Sequence, residues 1–216
     1  MNSRALPIQS FHARRKVLGQ HLDAVSYQEV VDSVVGWAKR HEPRYVCVTN
    51  VHVVMEGWDH PEYRSVINRA DIVTPDGVPL VWCLRAMGMK HATRVYGPDL
   101  TWFICARAAA EGLSIALYGG TNASLTEFKN VLRNRYPSID IACAISPPFR
   151  ELDIEEDRSY RQAIMASGAD LLFVGIGCPK QELWMHSHVA ELQIPMLGVG
   201  AAFDFHSGRV RQAPSW

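Results

Sequence analysis

Leu171-Leu-Phe-Val-Gly-Ile-Gly-Cys-Pro-Lys-Gln-Glu-Leu-Trp184 begins as an unbroken apolar run, breaks at Gly175 and Gly177, and places Pro179 where a helix would begin. An apolar run without alternation is the pattern of a parallel strand buried on both faces. Proline is well tolerated in the first turn of a helix, where its missing N–H costs nothing. Lys180, Gln181 and Glu182 follow, three polar side chains of different kinds. A buried strand that delivers such a set to a helix N-terminus is the usual ligand-site arrangement of an α/β protein.

The same alternation extends along the chain on both sides of this stretch. Ser26-Tyr-Gln-Glu29 has the spacing of a capping box, with Val30, Val31, Val34, Val35 and Trp37 at helical period, so a helix is expected over 26–40. Apolar strands are expected over 45–48, 71–74, 114–118, 140–145 and 195–199. Helices are expected from Pro61 to before Asp71, over 78–88, from Pro98 to Gly112, up to Tyr136, over 155–167 and over 179–191. Strands alternating with helices of this length imply βαβ units and a parallel sheet. The expected fold is α/β, a Rossmann-like sandwich with a mostly parallel central sheet flanked by helices. It forms one domain over 19–216, behind a mobile or loosely packed N-terminal arm over 1–18.

Bulk properties exclude several classes. Lys plus Arg equals Asp plus Glu at 22 each, against the basic excess of a general nucleic-acid binder. The five cysteines have no C-x-x-C spacing and four lie in apolar runs, so they read as reduced core residues of a cytosolic protein. No apolar stretch reaches the roughly 18–20 residues that span a bilayer. Trp58, Trp82 and Trp102 are too widely spread to form a platform and are assigned to the core.

Five strand ends carry polar or glycine-rich segments: Thr49-Asn50, Thr74-Pro-Asp-Gly77, Gly119-Gly-Thr-Asn122, Gly175 to Glu182, and Gly198-Val-Gly-Ala-Ala-Phe-Asp204. Open parallel sheets bind ligands along their carboxyl edge. Gly119, Gly120, Gly175 and Gly177 can let backbone approach a ligand and present N–H groups to phosphate. Neither a P-loop nor G-x-G-x-x-G is present. Arg94 and Lys180 can pair with a diphosphate, Lys180 being equally well a solvated residue. Asp76, Asp99, Glu182 and Asp204 are the candidate site carboxylates. Asp76 stands in a Pro-Asp-Gly turn, where an aspartate often binds its own backbone. At a crevice edge it is equally a general base. Arg209 and Arg211, if extended, point the same way and could clamp an anion. Asp204 and His206 could share one strand face as metal ligands, yet no D-x-D pair occurs at a strand end and no catalytic metal is expected. Cys178 is assigned to packing.

Together, Thr74-Pro-Asp-Gly77, Arg94-Val-Tyr-Gly-Pro-Asp-Leu100, Gly177-Cys-Pro-Lys-Gln-Glu182 and Gly198 to Asp204 through Gly208-Arg-Val-Arg-Gln-Ala-Pro214 resemble the WecG/TagA/CpsF glycosyltransferases, from about Gly19 to Trp216. The resemblance implies inverting, metal-independent transfer of a sugar from a UDP-sugar, of N-acetylmannosamine type or a hexose. The acceptor would be a polyprenyl-diphosphate-linked saccharide in bacterial cell-surface polysaccharide synthesis. It implies that Asp76 is the catalytic base, Arg94 (in the stretch with Gly97 and Asp99) lies near the diphosphate, Gln181 and Glu182 contact the nucleotide-sugar, and Asp204 matches the family's Phe-Asp aspartate.

Many members carry Thr-x-Asn at the first strand end. Here Val48 takes the Thr place, and Thr49, before Asn50, either substitutes or points away. Members also continue past the Gln-Ala-Pro stretch with a basic tail that reaches the membrane and contributes to the active site. These 216 residues stop before it, so weak or no activity with a lipid acceptor is expected of them. The implied setting is cytoplasmic, peripheral on the inner membrane through that tail, with homo-oligomerisation open and no nucleic-acid partner. Two alternatives on the same sheet are a nucleotide-dependent oxidoreductase and a nucleotide-sugar-binding module without chemistry.

Overall fold

The computed structural model describes residues 13–211. Residues 1–12 of the expected arm, and Gln212, Ala213 and Pro214 of the last motif, lie outside the described residues.

A small hairpin comes first, β1 (Arg14–Val17) against β2 (Gln20–Asp23), joined through Leu18 and Gly19, both at positive φ. Such a two-residue turn matches the twist of an antiparallel pair. Residues 14–18, expected in a loose arm, are therefore ordered. The cause is Asp23, fully buried, which takes both Arg14 Nε (2.6 Å) and Nη2 (2.8 Å) and also accepts the Val73 N–H at 2.7 Å. That set stitches the hairpin to the sheet.

The main body alternates as expected: α1 (Tyr27–Arg40), β3 (Tyr45–Thr49), α2 (Val51–Asp59), α3 (Pro61–Asn68), β4 (Ile72–Pro75), α4 (Val78–Ala86), α5 (Gly97–Glu111), β5 (Ser114–Gly119), α6 (Asn122–Arg135), β6 (Asp140–Ile145), α7 (Ile154–Ser167), β7 (Leu171–Gly175), α8 (Lys180–Leu192), β8 (Met196–Gly198) and α9 (Ala202–His206). The Ser26 capping box is formed in full, and Gly112 ends α5 in the left-handed conformation. Two expectations differ. Asn50, read only as a strand end, also caps α2 by accepting the Val53 N–H at 3.1 Å. Asp204 and His206 lie on the helix α9, not on one strand face.

β3 to β8 form a six-stranded, wholly parallel sheet in the order β4-β3-β8-β7-β5-β6. Successive side chains of a strand face opposite sides, and the core divides accordingly. Val46, Val48, Phe173 and Leu197 pack with α1, α5, α6 and α9, whereas Tyr45, Cys47, Val174 and Met196 pack with α2, α3, α4, α7 and α8. Each fully buried large apolar side chain contributes about 1.5–3 kcal/mol. Of the cysteines, Cys47 and Cys105 are buried, while Cys83 is exposed and Cys143 and Cys178 are half-buried; all five are free thiols. Trp102 packs against Phe128, Tyr136 and His206, but Trp58 and Trp82 are 53% and 65% exposed, contrary to their core assignment.

Candidate active site

The carboxyl ends of β3, β4 and β8, with the turn after β7, enclose an open cleft of about 530 Å³. Its wall includes Val48, Asn50, His52, Asp76, Gly77, Arg94, Tyr96, Gly177, Gln181 and Gly198 to Ala201. Four segments far apart in sequence converge because all six strands run the same way and end on one edge.

Asp76 is fixed by backbone and by charge. Its N–H donates to the Thr49 carbonyl at 2.7 Å, across the register that pairs Thr49 with Pro75. Arg94 Nε donates to the Asp76 carbonyl at 2.5 Å, and Arg94 Nη2 lies 3.4 Å from Oδ1. The Arg94 guanidinium also covers the Tyr96 ring at 4.3 Å. Burial pushes the Asp76 carboxyl up from its usual 3.8 to about 6, against the opposing pull of Arg94 and of the Gly97 backbone. A carboxylate that holds a cation partner and still titrates near neutrality is suited to accept a proton. Gly97 packs closely here, since a Cβ would lie 3.3 Å from the Val199 carbonyl oxygen, a tight contact.

Gln181 and Glu182 are held by contacts within the protein. Glu182 is fully buried and is not on the cleft wall. It accepts from Tyr63 Oη at 3.0 Å and from Gln181 Nε2 at 2.7 Å, and burial raises its carboxyl above the ordinary range. Gln181 Oε1 in turn accepts the Gly200 N–H at 3.1 Å. The pair therefore ties α8 to α3 and to the turn after β8. Only Gln181 reaches the cleft, and it does so as part of the wall.

Other expected site residues divide similarly. Val48 lines the cleft, while Thr49, one residue on and on the opposite face, is buried, its hydroxyl 3.5 Å from the Cys47 carbonyl. Thr49 thus stands off the cleft wall, with Val48 in the facing position. Gly119 and Gly120 do not present N–H groups to the cleft. The Gly120 N–H donates to the Gly175 carbonyl at 3.1 Å, and a Cβ on Gly119 would collide with that same carbonyl. These glycines allow β5 and β7 to close on one another. Gly177, at φ +82°, does line the cleft with open space around it.

Lys180 is not on this wall but lines a separate pocket with Tyr118, Phe149, Arg150 and Ile176. Asp99, in the first turn of α5, accepts from Tyr27 Oη at 3.3 Å and lies off the wall. Asp204 is also off the wall, although its neighbour Phe205 is on it. Arg209 pairs with Glu127 of α6 at 3.2 Å, and neither Arg209 nor Arg211 lines the cleft, so the two-arginine clamp is not formed. His206 packs at a tilt against Trp102, stacks on Phe128 and donates from Nε2 to the Pro98 carbonyl (2.9 Å), with burial holding its pKa down to about 4. Among the described residues no three His, Cys, Asp or Glu side chains converge as a metal site would need.

His52, which the sequence places among the side chains that could decide the donor sugar, lines the cleft. Tyr96 carried no site assignment of its own, although it stands inside the Arg94 to Leu100 motif.

A cleft at the carboxyl edge of a wholly parallel sheet, with an Asp–Arg pair on its wall, defines an α/β protein with a strand-end ligand site. The family model of the WecG/TagA/CpsF glycosyl transferases matches residues 15–216, and the chain belongs to that family. It is 27% identical over 173 residues to the N-acetylglucosaminyldiphosphoundecaprenol N-acetyl-beta-D-mannosaminyltransferase of Bacillus spizizenii, a match covering 80% of this chain and 65% of that protein. The chain thus spans just under two thirds of the length of that relative. Nothing in these matches supports the oxidoreductase or the non-catalytic alternative.

Proposed function

We propose that the cleft transfers a sugar, of N-acetylmannosamine type or a hexose, from a UDP-sugar to the hydroxyl of a polyprenyl-diphosphate-linked saccharide, with inversion and without a metal. The observation that carries this reading is Asp76, held by Arg94 in a cleft large enough for a sugar and titrating near 6. Asp76 removes the proton of the acceptor hydroxyl as its oxygen attacks the anomeric carbon. The bond from that carbon to the UDP oxygen breaks on the opposite face, and UDP leaves with the electron pair. Arg94, half-exposed on the cleft wall, supplies positive charge toward the departing diphosphate. Gly177 leaves room for backbone to approach the nucleotide, and Gln181 and Glu182 hold the wall in place rather than the ligand. Family membership and the relative's name, with its mannosaminyl donor group and diphosphoundecaprenol acceptor, support the substrate classes.

The test is Asp76→Asn, assayed by UDP release and by donor binding. Loss of transfer with donor binding retained is expected. Unchanged transfer removes Asp76 as the base.

A further inference from the structure

Residues 94–97 hook over the end of β4. The Val95 N–H donates to the Pro75 carbonyl at 3.0 Å, Arg94 Nε donates to the Asp76 carbonyl at 2.5 Å, and the Gly97 N–H reaches the Asp76 carboxyl. Tyr96 is extended, at φ −83° and ψ 131°. Side chains two apart along an extended segment share a face. Val95 accordingly turns into the core, fully buried, while Arg94 and Tyr96 stand together on the cleft wall. The Arg94 guanidinium lies over the Tyr96 ring, 4.3 Å from its centroid. Tyr96 is itself anchored. Its N–H donates to Tyr27 Oη at 2.9 Å, and its carbonyl accepts the Leu100 N–H at 2.9 Å in the first turn of α5. Tyr27 in turn donates to Asp99 at 3.3 Å and packs on Phe103, with ring centroids 5.0 Å apart. A run of contacts thus leads from α1 and α5 through one ring to the arginine beside Asp76.

The Arg94 side chain is 45% exposed, and its contact with the Asp76 carboxyl, at 3.4 Å, is long. An ion pair that open to water is weak by itself, and holding a long side chain in one rotamer costs entropy. A planar guanidinium stacks flat on an aromatic face, which offsets that cost. We propose that Tyr96 is a positioning residue: its ring holds the Arg94 guanidinium in the one arrangement that meets Asp76 and fronts the cleft. The contact uses the face of the ring and not the hydroxyl. In transfer it would keep positive charge where the departing diphosphate needs it, and in that respect alone the inference rests on the proposed function. Loss of the ring frees Arg94, weakens its pull on the Asp76 carboxyl and lets burial raise that carboxyl further. The titratable groups around Asp76 are Arg94 and Tyr96 of the same loop and Asp99 of α5, with His52 of α2 and Cys178 of the turn after β7 on the cleft wall. Among them Arg94 is the group stacked on the Tyr96 ring.

The experiment follows the Asp76 carboxyl by carbon NMR in the aspartate-labelled full chain, without donor or acceptor, its signal assigned by its loss in Asp76→Asn. Tyr96→Leu and Tyr96→Met should each raise its titration midpoint from about 6 by roughly half a pH unit, the size of a half-exposed cation–π contact. Tyr96→Phe keeps the ring and should restore the native midpoint. In an Arg94→Gln background, Tyr96→Leu should add no further shift. Circular dichroism checks the fold of each variant, and with two ring-removing substitutions either one decides if the other does not fold. Transfer is measured separately at pH 8, where Asp76 is ionised throughout. There kcat should fall about two- to fivefold in Tyr96→Leu and Tyr96→Met and recover in Tyr96→Phe. A native midpoint or a native kcat in the ring-removing variants overturns the proposal. So does a shift in Tyr96→Phe as large as theirs, or an undiminished shift in the Arg94→Gln background. Midpoints that move as expected in a chain that transfers no sugar would remove the transferase reading and leave the contact between Tyr96, Arg94 and Asp76 standing.

Discussion

Asp76 directly follows the buried strand β4, Glu182 stands in the first turn of the helix after β7, and both carboxylates are drawn up in pKa by burial. Their surroundings differ. Asp76 keeps one side open to the cleft and has a half-exposed arginine as its partner. Glu182 is closed in by Tyr63 and Gln181 and is not itself on the cleft wall. A motif thus identifies a place in the fold, while access to solvent decides whether the residue there can meet a substrate.

The largest test of that contrast is catalytic. Asp76→Asn is expected to lower transfer by about 10²–10⁴-fold, the usual contribution of a general base, with thermal stability at neutral pH not reduced. Glu182→Ala should do the reverse. It leaves the Tyr63 hydroxyl with only the Cys178 sulfur and the Gln181 Nε2 without its acceptor, and is expected to cost about 1–3 kcal/mol, read as a lower midpoint in urea. If Glu182→Ala abolished transfer while leaving stability intact, the distinction drawn here would be wrong.

The pH dependence follows from Asp76 with its sign. A carboxyl at about 6 when folded, against 3.8 ordinarily, binds its proton more tightly in the folded state. Its contribution to stability is therefore present below about pH 4 and lost as pH rises through 6, by at most about 3 kcal/mol. Asp76→Asn should remove that decline, seen as a smaller loss of unfolding free energy between pH 4 and 8. If the proposed transfer holds, its kcat/KM should rise with an apparent pKa near 6.

Two smaller effects sharpen the comparison further. Thr49→Val should change transfer by less than about twofold and stability by under about 1 kcal/mol, since the Thr49 hydroxyl has only the long contact with Cys47 to lose. Lys180→Ala should alter donor affinity little and stability within about 0.5 kcal/mol, as expected for a surface substitution away from the cleft. A tenfold loss of donor affinity in Lys180→Ala would extend the nucleotide site into the neighbouring pocket.

Much of the fold was legible because its physical signals are local. Buried parallel strands are apolar runs, and the Ser26 capping box and Gly112 mark helix ends whatever lies around them. α2 was passed over although Asn50 can cap a helix, because Pro61 marks the next helix more strongly. α9 was read as strand because Gly198 to Asp204 continues the apolar run of β8, and only the turn through Gly200 and Ala201 redirects it. The hairpin was missed because Arg14 reveals its role only with Asp23 and Val73 beside it.

For the site, residue type and strand-end position were enough to single out Asp76, Arg94, Asn50, Gly177 and Gln181, all of which reach the cleft wall. They were not enough to separate these from Thr49, Glu182, Lys180, Asp99, Asp204, Arg209 and Arg211. Whether a side chain faces ligand, core or another pocket depends on strand parity, on the turn of α8 and on partners such as Tyr63 and Glu127. The sequence alone determined that this chain is an alternating α/β protein with polar residues gathered at its strand ends. Only the tertiary structure decided which of those residues share one cavity, because a side chain's direction and partners are set by the packing of segments distant in the chain.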